Sequence, residues 1–146
     1  MRVDDIDEVD LRGHDCVDGF EAGGASYLTQ DDPIQSVKAT EVIERRLTDE
    51  NPGFVSIVAM VETVWVLERA YDLTPLEIFG AIERVLQTDV LVVENEQEVF
   101  TAMIALKEGQ GSFADAIIAA LAASRGCSRT LTFDRKALRL PGFELP

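Results

Sequence analysis

Three short runs of mostly apolar or β-branched residues constrain this chain most: Phe54-Val55-Ser56-Ile57-Val58, Val90-Leu91-Val92-Val93 and Thr130-Leu131-Thr132-Phe133. The first two show no apolar–polar alternation of the kind that marks a strand with one wet face. Strands that read as continuous apolar runs are buried on both faces, as in parallel sheets covered by helices. The stretches between them carry helical spacing, and a helix is the usual crossover between parallel strands. An α/β fold follows, with a parallel sheet and helices on both faces.

Local signals fix where the helices begin. Asp32-Pro33 reads as an N-cap followed by proline at the first helical position. Ile34, Val37, Val42, Ile43 and Leu47 give that helix an apolar face, and Asn51-Pro52-Gly53 closes it. Met60, Val61, Val64, Trp65 and Leu67 follow helical spacing as far as Tyr71, with Ser56 as a candidate cap and Trp65 expected in the core. Thr74-Pro75-Leu76-Glu77 is a capping box with proline at N1, ahead of a stripe of Leu76, Phe79, Ile82, Val85 and Leu86. Asn95 with Glu98 reads as the next cap, before Val99, Met103 and Leu106. Ser112 with Asp115 opens an Ala-rich helix ending near Gly126, where Cys127 reads as a small buried residue. Leu140–Leu145 is a candidate last strand.

Residues 1–26 differ from the rest. They are acidic, then Gly-rich, and have no sustained period, with one short strand expected at Cys16-Val17. The chain therefore divides into an atypical segment, 1–26, and one domain, 27–146. Two cysteines make no disulfide framework and no zinc spacing. A single histidine, His14, argues against a His-based metal cage or Ser-His machinery. No apolar run approaches the roughly 18 residues of a membrane span. The first residues lack the basic flank and apolar stretch of a signal peptide, so no membrane partner and a cytoplasmic location are expected.

The net charge is −14, and residues 1–32 hold ten acids against two bases. Such a surface repels phosphate backbones at long range. Nucleic-acid chemistry on this chain has to work through bound cations or local Arg patches, of which Arg135, Lys136 and Arg139 form one.

Ligands of open parallel sheets bind outside the carboxyl ends of the strands, so acids just after strands or at helix starts are the candidates. Glu62 lies in an otherwise apolar stretch, Asp115 in the first turn of a helix, and Asp134 directly after Thr130–Phe133. Asp18, after Cys16-Val17, is the candidate beyond the first strand. Each also has an ordinary reading: Glu62 facing water, Asp115 completing a cap, Asp134 capping a turn. Taken together, carboxylates brought close repel one another unless a cation lies between them. A hard cation such as Mg²⁺ accepts oxygen ligands, activates water and clamps a phosphoryl group.

The ordered set Tyr27-Leu28-Thr29-Gln30-Asp31-Asp32-Pro33, Val61-Glu62-Thr63-Val64-Trp65-Val66-Leu67, Phe113-Ala114-Asp115-Ala116 and Leu131-Thr132-Phe133-Asp134-Arg135-Lys136 resembles the PIN-domain ribonucleases. Within them it is similar to VapC-type toxins of bacterial toxin–antitoxin pairs. The resemblance implies a three-layer fold with about five parallel strands, and Mg²⁺- or Mn²⁺-dependent hydrolysis of RNA by water. It also implies a cognate antitoxin protein and a homodimer. Glu62, Asp115 and Asp134 fall on the family's second, third and fourth acidic positions. Thr132 falls on the hydroxyl position before the fourth. Asp18 stands for the first, but Gly19-Phe20-Glu21 follows it where the family has Thr or Asn. That departure supports an alternative: a catalytically impaired PIN-like module that binds antitoxin or RNA. A D-x-D-x-Val match at Asp5–Val9 lacks the apolar strand that a phosphoacceptor aspartate needs before it.

Overall fold

The computed structural model describes residues 33–146. The expected strand at Cys16-Val17, the cap at Asp32, His14 and Asp18 lie outside the described residues. Pro33 opens α1 (Pro33–Glu41), which runs on as a turn of π-helix, Val42–Arg46. The helix stops at Leu47, whose extended backbone ends it before Asn51-Pro52-Gly53 is reached. Ile43 and Leu47 bury against the core.

The chain then forms β1 (Gly53–Val55), α2 (Ile57–Arg69), α3 (Pro75–Leu86), β2 (Leu91–Val93), α4 (Glu96–Lys107), α5 (Phe113–Ser124), β3 (Thr130–Leu131), a 3₁₀ turn (Ala137–Arg139) and β4 (Phe143–Glu144). β1 pairs with β2 in parallel, Phe54 opposite Val92. β3 pairs with β4, also in parallel, with Thr130 opposite Phe143. The described strands thus make two parallel pairs; α2 and α3 connect β1 to β2, and the 3₁₀ turn lies between β3 and β4. One apolar core takes residues from both pairs: Val55 and Val93 from one, Phe143 from the other, with Met60, Leu67, Ile78, Val99 and Phe113 between. α4 packs along α5, α3 packs on α4, and α2 touches α5. No helix among the described residues is long and apolar enough to cross a membrane.

Several expectations change. The run Phe54–Val58 is not one strand. Ser56 turns it, because its Oγ accepts the Ala59 N–H at 3.1 Å and starts α2 at Ile57. Trp65 is 56% exposed; the buried side of α2 is Met60, Thr63, Val64 and Leu67, and Val58, Glu62 and Trp65 share the opposite face. Leu76 is likewise exposed, and so is Cys127. Asn95 heads α4 from a left-handed backbone (φ 51°), without a side-chain cap bond. The capping box at Thr74 forms as expected: Thr74 N–H donates to Glu77 Oε2 at 2.8 Å, and Glu77 N–H to Thr74 Oγ1 at 3.3 Å.

Candidate active site

Glu62 projects from the exposed face of α2, and that helix is fixed at its start from two directions. Ser56 caps it from within. From outside, Glu94, the residue after β2, accepts the Ile57 N–H on its Oε2 at 2.7 Å. Glu94 reaches this point because its own N–H donates to the Val55 carbonyl at 2.9 Å, extending the β1–β2 ladder by one residue. A carboxylate at the first turn of a helix also meets the positive end of the helix dipole.

Asp115 is half-buried in the first turn of α5. Ser112 caps that turn by accepting the Asp115 N–H on its Oγ at 3.1 Å. The backbone amide makes this bond, so the carboxylate is not consumed by the cap. The approach to α5 is tight. Gly111 has φ +130°, and a Cβ there would lie 3.2 Å from Leu140 Cγ and Cδ1. A glycine at this position lets the loop cross the segment that follows Asp134.

Asp134 follows β3. Thr132 Oγ1 accepts the Asp134 N–H at 3.0 Å, and Asp134 Oδ1 accepts the Lys136 N–H at 2.8 Å. Thr132 therefore holds the turn that presents Asp134, and one Asp134 oxygen closes that turn. The ordinary reading of this residue as a cap is realised, with its other carboxylate oxygen outside that bond.

The helices bearing Glu62 and Asp115 touch. Among the described residues, however, no three His, Cys, Asp or Glu side chains are grouped so that they could hold a metal ion. The donor chemistry, carboxylate oxygens alone, suits a hard divalent cation. The described carboxylates by themselves do not make its site, and Asp18 lies outside the described residues. One residue that positions the site, Glu94, was not singled out from sequence; it carried a usable signal, since in the sequence it directly follows an apolar run, as Asp134 does.

Short parallel strands joined by helices, with carboxylates at helix starts and just beyond a strand, define an α/β protein of the kind that binds ligands at its strand ends. The family model of the PIN domain matches residues 25–142, and the chain belongs to the PIN domain family. Comparison with curated proteins and with solved structures gave no match. PIN domains are generally metal-dependent nucleases that typically use divalent metals, and the family suggests RNA binding.

Proposed function

We infer that this protein is a metal-dependent endoribonuclease, the toxin component of a toxin–antitoxin pair, that hydrolyses RNA phosphodiester bonds with Mg²⁺ or Mn²⁺ bound. The family match over residues 25–142 carries the reading. In it, Asp18, Glu62, Asp115 and Asp134 are the metal ligands. The chain's own residues hold those carboxylates in place: Glu94 and Ser56 set α2 under Glu62, Ser112 sets the first turn of α5 under Asp115, and Thr132 sets the turn of Asp134. A cognate antitoxin, a homodimer and a cytoplasmic setting belong to the same reading.

Asp115→Asn tests it. The Ser112 cap uses the Asp115 amide, which Asn retains, so the variant folds with only a small fall in melting temperature from the lost charge at the positive end of the helix dipole. RNA cleavage by the purified full chain in Mg²⁺ or Mn²⁺ is expected to disappear in this variant and in EDTA. Cleavage at the wild-type rate by Asp115→Asn would remove it from the reaction.

The second reading is a PIN-like module with impaired catalysis that still binds antitoxin or RNA. It is favoured by one observation, that Gly19-Phe20-Glu21 follows Asp18 where the family has Thr or Asn. A well-folded chain that binds RNA and cuts none in either metal would establish it.

A further inference from the structure

Phe133 is 90% exposed, the largest exposure of any bulky apolar side chain among the described residues. Its backbone is not loose. On one side, Thr132 N–H donates to the Glu144 carbonyl at 2.9 Å, carrying the β3–β4 ladder one residue past β3. On the other, the Asp134 carbonyl accepts the N–H of Ala137 at 3.1 Å, and Ala137 is wholly buried. Bonds from Asp134 to Thr132 and from Lys136 to Asp134 close the turn between. The ring is thus held out at the apex of an anchored turn. Alternation along an extended chain puts Leu131 on the same face, and Leu131 is exposed while Thr130 and Thr132 are half-buried.

The charges around the ring narrow what covers it. Residues 125–139 hold five of the chain's 13 basic residues and a single acid, Asp134, in a molecule of net charge −14. Arg135 and Lys136 follow the ring almost directly. Lys136 and Arg139, three residues apart across a 3₁₀ turn, fall on one side of it. All three are exposed, and the ion pair that forms among the described residues of this region, Arg129–Glu144, leaves them out. Aromatic residues and arginine also occur at the centres of protein–protein interfaces, where lysine is depleted. Three exposed cations within six residues of the ring, in a chain of net charge −14, favour a ligand that offers both a flat π-face and a phosphate, as every nucleotide does.

We propose that Phe133 is a stacking platform for an unpaired base of RNA, with Arg135, Lys136 and Arg139 holding the neighbouring phosphates. Bases inside a duplex are already stacked on both faces, so the ligand is single-stranded RNA. The proposal rests on the ribonuclease reading and adds to it a residue that touches the substrate.

The test is binding of a mixed-sequence single-stranded RNA carrying 2-aminopurine to the full chain, in EDTA and in Ca²⁺. Losing one stacked base weakens binding about ten- to a hundredfold, and Phe133→Ala is expected to fall in that range. Phe133→Tyr keeps the π-face and binds like wild type. Phe133→Leu keeps only the apolar bulk and behaves like alanine. Quenching of 2-aminopurine appears with wild type and Phe133→Tyr and is absent with Phe133→Ala. A duplex of the same length binds weakly and is indifferent to the substitution. The ring touches little protein, so none of these variants shifts the melting temperature appreciably.

Phe133→Ala binding as tightly as wild type, or Phe133→Leu restoring binding, would overturn the proposal. So would a wild-type chain that binds the RNA in neither condition. A change of oligomeric state in Phe133→Ala with RNA binding intact would assign the ring to a second copy instead. Cleavage separates this proposal from the reading beneath it. A chain that cuts RNA but ignores Phe133 refutes the platform alone. One that binds through Phe133 and never cuts refutes the enzyme alone.

Discussion

The Glu94 carboxylate does from a neighbouring strand what a capping side chain does from within a helix. Removing it leaves the half-buried Ile57 N–H without its acceptor, a loss of about 1–2 kcal/mol on the scale of lost caps and unsatisfied donors. Glu94→Ala should lower the melting temperature accordingly, and lower RNA cleavage with it, because α2 carries Glu62. Glu94→Gln keeps an oxygen acceptor at the same place and should recover most of both; thermal melts and cleavage rates of the two variants check this. Glu68, half-buried on the same helix, behaves in the opposite sense. Burial pushes its carboxyl above the ordinary value, and the Arg69 guanidinium only partly opposes that. The folded chain thus holds this proton more tightly than the unfolded one. The stability it contributes is complete below the ordinary value of 4.5 and is lost as pH rises through the raised value. Glu68→Gln should therefore give a small gain in melting temperature near pH 7 that closes below about pH 4.5. Residue types and their place in the chain made Glu62, Asp115 and Asp134 candidates from sequence, and Thr132 was a candidate through the family resemblance. Nothing local in the sequence said that Glu94 reaches an amide 37 positions away, or that the ring of Phe133 points away from the core.

Helix starts were legible wherever the chemistry closes within one turn. Thr74 and Glu77 exchange their bonds as the sequence predicts, and Ser112 meets the Asp115 amide. Thr74→Ala should cost about 1 kcal/mol, within the usual range of about 0.5–2 for a lost cap. Because α3 bears none of the candidate site residues, RNA cleavage should be unchanged; urea denaturation and the cleavage assay together check both halves. At Asn95 the residue type suits a cap, but its left-handed backbone leaves the side chain without a cap bond. The apolar run at 54–58 looked like one strand because Ile57 and Val58 are β-branched, and the single hydroxyl of Ser56 divides it between β1 and α2. Trp65 shows a different limit. Helical spacing tells which residues share a face and not which face is covered. Both faces of α2 carry large apolar side chains, so the period alone could not assign Trp65 to the exposed one.

At the scale of the whole molecule, the order of elements, the parallel pairing and the family were all readable before any coordinates. Short apolar strands separated by helices leave few other arrangements. The expected sheet of about five strands is represented among the described residues by two pairs with a common core. Which strands neighbour one another depends on long-range packing that no local pattern encodes. The bond between Glu94 and Ile57 is one of the few polar ties spanning that distance. First-turn amides of a helix have no acceptor within it and normally trade their protons with solvent at once. The Ile57 amide instead stays closed for as long as β2 and α2 remain together. Its exchange with deuterium is a clock for the opening of that one joint, running at its own rate beneath the global unfolding of the chain.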